Sequence, residues 1–153
     1  MKLYLVRHGE AKPTEIDPSR GLTLKGIQDS TKVAEFLAKA RLEVNEVFHS
    51  GKARAQETAS IFAEHITARN GVFDTEGLSP NDDPSIWTAR LSRLAEDTML
   101  VGHLPHLARL VSRLLSDDPK SLSIEFRPAS VLCLSRSHAG WSLEWMVIPD
   151  ILQ

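Results

Sequence analysis

Apolar positions along this chain change spacing several times, and each change marks an element. "KLYLV" at 2–6 is a short apolar run of strand length. "KPTEIDPSRG" then breaks the pattern with Pro, Asp, Ser and Gly, as a loop leaving the carboxyl end of a strand does. From Thr23 the spacing turns helical. Ile27, Ala34, Leu37 and Ala38 form a stripe that Val33, Phe36 and Ala40 widen, which predicts a long helix opened by Thr23. "NEVFHS" ends a second strand at Ser50, and Ala55, Ala59, Phe62 and Ile66 give the next helix its face.

A weaker strand is expected at 72–75, followed by a turn-rich surface loop, "TEGLSPNDDPS". "PSIWTARLSRLAE" predicts a third helix with Ile86, Ala89 and Leu94 inward. "TMLVGH" and "LPHLARLVSRLL" form the clearest strand-to-helix unit, with Leu104, Leu107, Ala108, Val111, Leu114 and Leu115 on one face. In the tail, "SVLCLSR" and "WSLEWMVIP" are β-prone and separated by "SHAG", which suits an antiparallel hairpin. Trp141 and Trp145 are expected on one face of the last strand, packed in the core, and Cys133 as a half-buried strand thiol.

Strands alternating with helices predict a mostly parallel sheet covered on both faces. The expected fold class is a three-layer α/β/α sandwich with an antiparallel C-terminal hairpin. Neither repeats nor a linker interrupt the 153 residues, so one domain over 1–153 is expected.

Charge narrows the chemistry. A net charge of −2 gives no global basic field, so nucleic acid and anionic membranes are not expected partners. With one cysteine and no run near the length of a membrane span, the chain reads as a cytoplasmic protein without disulfides. It is read as a monomer.

In an open parallel sheet the strand carboxyl ends share one edge, and ligands bind outside it. Arg7 and His8 follow the first strand, Ser50 and Arg54 the second, and His103 follows "TMLV". Two arginines, two imidazoles and the free N–H groups of a helix amino end make a donor-rich cup for a phosphoryl group. Two histidines at one phosphate suit covalent transfer, a neutral imidazole attacking phosphorus and a protonated one stabilising its oxygens. Nearby arginines would keep a second proton off His8.

"SGKAR" is not a nucleotide-binding loop, because Glu46 stands where the first Gly is needed and Ala53 where Ser or Thr would hold magnesium. His103 and His106 lack the companions of a metal site, so no metal is expected. His49, His65 and His138 read as structural, and His106 is either structural or at the pocket rim.

"LVRHGEA" at 5–11, "SGKARAQETA" at 50–59 and "MLVGHLP" at 99–105 resemble the histidine phosphatase superfamily, with its phosphoglycerate mutase-like fold and RHG motif. "SRGLTLKG" at 19–26, "GLSPNDDP" at 77–84 and "GHLPHLARLV" at 102–111 extend the likeness to the short SixA-type phosphohistidine phosphatases. This resemblance implies His8 as the nucleophile, Arg7 and Arg54 as the phosphoryl clamp and His103 as the second histidine. Arg20 matches a further substrate-binding arginine.

It also implies a cofactor-free, metal-independent hydrolysis whose substrate partner is a protein bearing phosphohistidine, a phosphocarrier or phosphotransfer domain. For a general acid the sequence offers Glu76, Asp82 or Asp83, or none, against the plain reading of a solvated turn and helix cap. An imidazole leaving group needs less acid assistance than an alkoxide. The alternatives are a small-molecule phosphomonoesterase and a non-catalytic phosphate- or phosphohistidine-binding module.

Overall fold

The computed structural model describes residues 1–153. Its main sheet runs β5-β3-β6-β1-β7-β8, with β1 at Lys2–Arg7, β3 at Glu46–His49, β5 at Val72–Asp74, β6 at Thr98–Gly102, β7 at Val131–Ser137 and β8 at Gly140–Val147. The first four strands in that order are parallel; β7 adds antiparallel to β1, and β8 adds antiparallel to β7. A parallel pair of two-residue strands, β2 at Glu43–Val44 and β4 at Thr67–Ala68, lies apart and has no sequence signal.

Helices α1 (Leu24–Lys39) and α2 (Ala53–His65) cover one face; α3 (Ser85–Leu91) and α4 (His106–Ser116) cover the other. Strand β1 explains why both faces need cover. Tyr4 and Val6 join the apolar cluster under α1 and α2, while Leu3 and Leu5 join the one under α3 and α4. No helix is long and apolar enough to cross a membrane. The α/β/α sandwich with its antiparallel hairpin is as the periodicities indicate.

The inward faces differ from the sequence reading in three places. Along α1, Ile27 and Phe36 are largely exposed, as is Ala40, while Gly26, Asp29, Ser30, Val33, Ala34 and Leu37 are buried. The helix is rotated because its start docks against the loop after β1. Thr23 caps it by accepting the Gly26 N–H, and a Cβ at Gly26 would lie only 2.2 Å from the Glu10 carbonyl oxygen.

In α3 the buried residues are Trp87 and Leu91 rather than Ile86 and Ala89, and Leu94 lies beyond the helix, partly buried. The indole of Trp87 sets that phase. It donates to the Glu76 carbonyl and carries the Arg90 guanidinium 4.0 Å from its ring.

In the tail, Trp141 and Trp145 fall on opposite faces. Leu134 pairs Leu143 while Cys133 pairs Trp145, so Glu144 is an extra residue in β8 that reverses the alternation. Trp145 packs on Tyr4 with the α1–α2 cluster, and Trp141 lies under Arg136 with the other. Cys133 is fully rather than half buried, and burial pushes its thiol up to about 11.

Candidate active site

Strand register brings the three motifs together. Arg7 pairs Gly102 and His49 pairs Val101, so the residues that follow, His8, Ser50 and His103, leave adjacent strands at one edge. The His8 N–H donates to the Gly102 carbonyl at 3.0 Å. The His8 and His103 rings stand 5.0 Å apart between centroids, tilted by 52°.

His8 has a defined tautomer. Its Nδ1 lies 2.7 Å from the Gly9 carbonyl oxygen, which can only accept, so the proton sits on Nδ1 and Nε2 keeps its lone pair. Gly9 is tight at this point, since a Cβ there would lie 2.7 Å from Ser30 Oγ and 2.8 Å from the Gly26 carbonyl oxygen. The backbone after β1 is thus pressed onto the start of α1.

Burial holds the His8 pKa down to about 4, against the Gly9 bond, with Arg54, Arg7 and Arg20 lowering it further. The arginines act in the direction expected from sequence, but desolvation leads. Burial likewise brings His103 to about 3, helped by His8, Arg54, Lys52 and His106. His103 is 1% exposed; its Nε2 meets Ser50 Oγ at 2.6 Å, and its Nδ1 has no partner.

Arg54 sits in the first turn of α2, where free backbone N–H groups also point outward. Its Nε is buried without a partner, as is that of Arg7. Burial lowers both guanidinium pKa values from the ordinary arginine range, and Arg20 lowers that of Arg54 further. Arg20 has a left-handed backbone, φ 54°, and its Nε donates to the Lys12 carbonyl, so the structure brings it within electrostatic reach of His8 and Arg54.

Thr58 ties two motifs together, accepting from the Gly9 N–H and donating to the Arg54 carbonyl. Sequence reasoning passed over it, although its position four residues after Arg54 on the helix was a usable signal. It also passed over 126–130, whose carbonyls and N–H groups hold Arg7. That segment lacks periodicity and turn chemistry tied to the site.

Beside the cup, a polar cleft of about 570 Å³ is lined by Ser50, Asp74, Thr75, Glu76, Ser79 and Asp82, among others. Glu76 and Asp82 therefore share a cleft with the serine that meets His103. Asp83 does not line it. It caps α3 through the Ser85 N–H, and that bond holds its carboxyl below the usual range. His106 is completely buried, with neither ring nitrogen partnered, so it is not a rim residue.

Two arginines and two imidazoles thus meet at the carboxyl edge of an α/β/α sandwich, an arrangement with the donors to hold a phosphoryl group. The sequence profile of the histidine phosphatase superfamily (branch 1) matches residues 3–78. The chain belongs to that superfamily and is a phosphatase.

Phosphohistidine phosphatase SixA of Escherichia coli (strain K12) is 25% identical over 154 residues, covering 97% of this chain and 94% of that protein. The structure of the protein histidine phosphatase SixA complexed with tungstate superposes with a TM-score of 0.85 at 22% identity, covering 98% of each chain. A phosphoserine phosphatase mutant from Entamoeba histolytica in complex with phosphoserine shares the fold at TM-score 0.72 and 16% identity, over 95% of each chain.

Proposed function

We propose that this chain is a cytoplasmic, metal-independent phosphatase acting as one domain over residues 1–153, which removes phosphate from phosphohistidine on a phosphocarrier or phosphotransfer protein. The observation that carries the reading is the His8 imidazole, its Nδ1 proton committed to the Gly9 carbonyl and its Nε2 unprotonated at neutral pH. Such a group is a nucleophile at rest.

In the first step the His8 Nε2 lone pair forms a bond to phosphorus while the P–N bond to the substrate imidazole breaks. The departing ring nitrogen takes a proton from water. Arg7 and Arg54, with Arg20 at longer range, neutralise the phosphoryl oxygens, and their buried, unpartnered Nε groups are donors awaiting an anion. In the second step water attacks phosphorus, the P–N bond to His8 breaks, and inorganic phosphate leaves. His103, beside His8 and on Ser50, is the group that takes on charge when phosphate binds.

Two features support an imidazole leaving group. A relative that aligns over 97% of this chain bears the name phosphohistidine phosphatase SixA. The cleft beside the cup carries Asp74, Glu76 and Asp82, a field that disfavours leaving groups with their own carboxylate and suits a neutral or cationic ring. The same carboxylates favour the second reading, a phosphomonoesterase in which Glu76 or Asp82 protonates an alkoxide.

The test is phosphate release by wild type and His8→Ala from a phosphohistidine-bearing phosphocarrier protein and from p-nitrophenyl phosphate, each with and without chelator. Chelator-resistant release from phosphohistidine, slow ester cleavage and an inert His8→Ala support the proposal. Fast cleavage of the ester alone sinks it in favour of the phosphomonoesterase. Tight phosphate binding without turnover of either makes the protein a binding module.

A further inference from the structure

The candidate clamp residue Arg7 ends β1 beside Gly102, which offers no side chain to steer it. Its other flank is the stretch before β7. Residues 117–130 contain no helix or strand, yet the end of that stretch makes an unusual number of bonds to the RHG backbone. The Arg7 N–H donates to the Ser130 carbonyl at 3.1 Å. The Ala129 N–H lies 3.0 Å from the Arg7 carbonyl and 3.2 Å from that of His8. The Phe126 carbonyl accepts from Arg7 Nη1 at 2.6 Å.

Two further observations mark this stretch as built for the purpose. Ala129 holds φ at 64°, a left-handed conformation that side-chain-bearing residues avoid, and it is there that the N–H reaches both carbonyls. Phe126 is completely buried in the apolar cluster that includes Leu3, Leu5, Leu107 and Leu132, while its neighbours Glu125 and Arg127 are exposed. The ring thus anchors the start of a strap whose far end, Ala129 and Ser130, is also buried, and the carbonyl of Phe126 holds the guanidinium.

We propose that Phe126–Ser130 is a strap that aims Arg7 at the phosphoryl group, with Phe126 as its positioning residue. The proposal rests on Arg7 gripping that group in the reading above. One of the five guanidinium donors is spent on the Phe126 carbonyl, which fixes the plane of the fork and leaves the others for phosphate oxygens. Truncating the ring frees the carbonyl, and the fork loses its plane. A displacement of about 1 Å in such a clamp can cost on the order of 100-fold in rate.

The experiment measures kcat/KM on a histidine-phosphorylated peptide and inhibition by orthovanadate for wild type, Phe126→Ala, Phe126→Leu, Leu91→Ala and Arg7→Ala, with a thermal melt of each. Leu91 is fully buried in the same apolar cluster, so its truncation is a control for cavity formation. Phe126→Ala is expected to lose between about 10-fold and 100-fold in kcat/KM and to weaken vanadate inhibition in parallel. Phe126→Leu should recover most of both, and Leu91→Ala should lower the melting temperature with activity near wild type.

If Phe126→Ala and Leu91→Ala fall together in melting temperature and keep the same activity and vanadate affinity, Phe126 is merely structural and the strap is refuted. If Phe126→Ala does not fold, Phe126→Val carries the same comparison. An Arg7→Ala enzyme with wild-type kcat/KM would overturn the clamp itself, a failure separate from that of the strap.

Discussion

Two polar regions meet at Ser50, and they have opposite character. On one side Arg7, Arg54, His8 and His103 form a desolvated cationic cup built on strand ends and a helix start. On the other, Asp74, Glu76 and Asp82 line an open cleft built on the loop before α3. The difference separates two tasks. In the proposed function, rigid elements hold the atoms that meet phosphorus, whereas the loop sets the field met by whatever the phosphorus was attached to.

The cup is the side that a single substitution breaks. Arg54→Ala removes a partly buried cation whose Nε has no protein partner, so the loss falls on the phosphoryl group rather than on the fold. A fall in kcat/KM of on the order of 10²–10³ is expected, the scale of one lost transition-state donor. Arg54→Lys should restore only part of it, because an ammonium cannot hold two oxygens as a fork does. Steady-state kinetics with an unchanged circular dichroism spectrum check this; equal recovery by lysine would reduce Arg54 to a point charge.

Next in size is the pH profile. In the proposed mechanism His8 attacks only when neutral, and its pKa is near 4. The acid limb of kcat/KM should therefore sit near pH 4, with little loss down to pH 5.5. A histidine with the ordinary value near 6.5 would lose about 10-fold by that pH. An acid limb centred at 6.5 would mean that His8 is solvated in the working enzyme.

The asymmetry between cup and cleft also explains what could be read from the sequence. Arg7, His8, Arg54 and His103 were readable because a parallel sheet collects its strand exits at one edge, so three distant motifs share an address. Trp141 and Trp145 were misplaced because one extra residue, Glu144, inverts strand parity without disturbing composition. The α1 stripe was rotated because Gly26 answers to the backbone of Glu10, a contact between segments that helical periodicity does not carry. The hold of 126–130 on Arg7 is made by backbone groups, which every sequence has.

His106 extends the desolvation of the cup into the core. It is completely buried with neither nitrogen partnered, and its pKa is near 4, lowered first by burial, with Asp82 opposing. His8, His103 and His106 all bind protons less readily folded than unfolded. The stability they permit is whole above about pH 6.5 and is lost as pH falls through 4, because the unfolded chain takes up protons first. His106→Leu removes one of those sites and an unpaired buried polar group, for a gain of about 1–3 kcal/mol. Its melting temperature should exceed that of wild type by more at pH 5 than at pH 8. Parallel curves at both pH values would show that His106 finds a partner in solution.

The smallest effect tests the cleft. Glu76 and Asp82 stand in solvent-open surroundings, where a charge acts at high dielectric and within the Debye length. Glu76→Gln with Asp82→Asn should raise kcat/KM toward phosphoserine, whose leaving group carries a carboxylate, by about 5-fold, corresponding to roughly 1 kcal/mol of relieved repulsion. Activity toward a histidine-phosphorylated peptide should stay level or fall slightly, and the gain should shrink in high salt. The opposite result, a collapse of ester cleavage with phosphohistidine untouched, would identify a proton donor among these two carboxylates. The cleft would then serve chemistry rather than selection, and the division of labour drawn at Ser50 would move one residue shell outward.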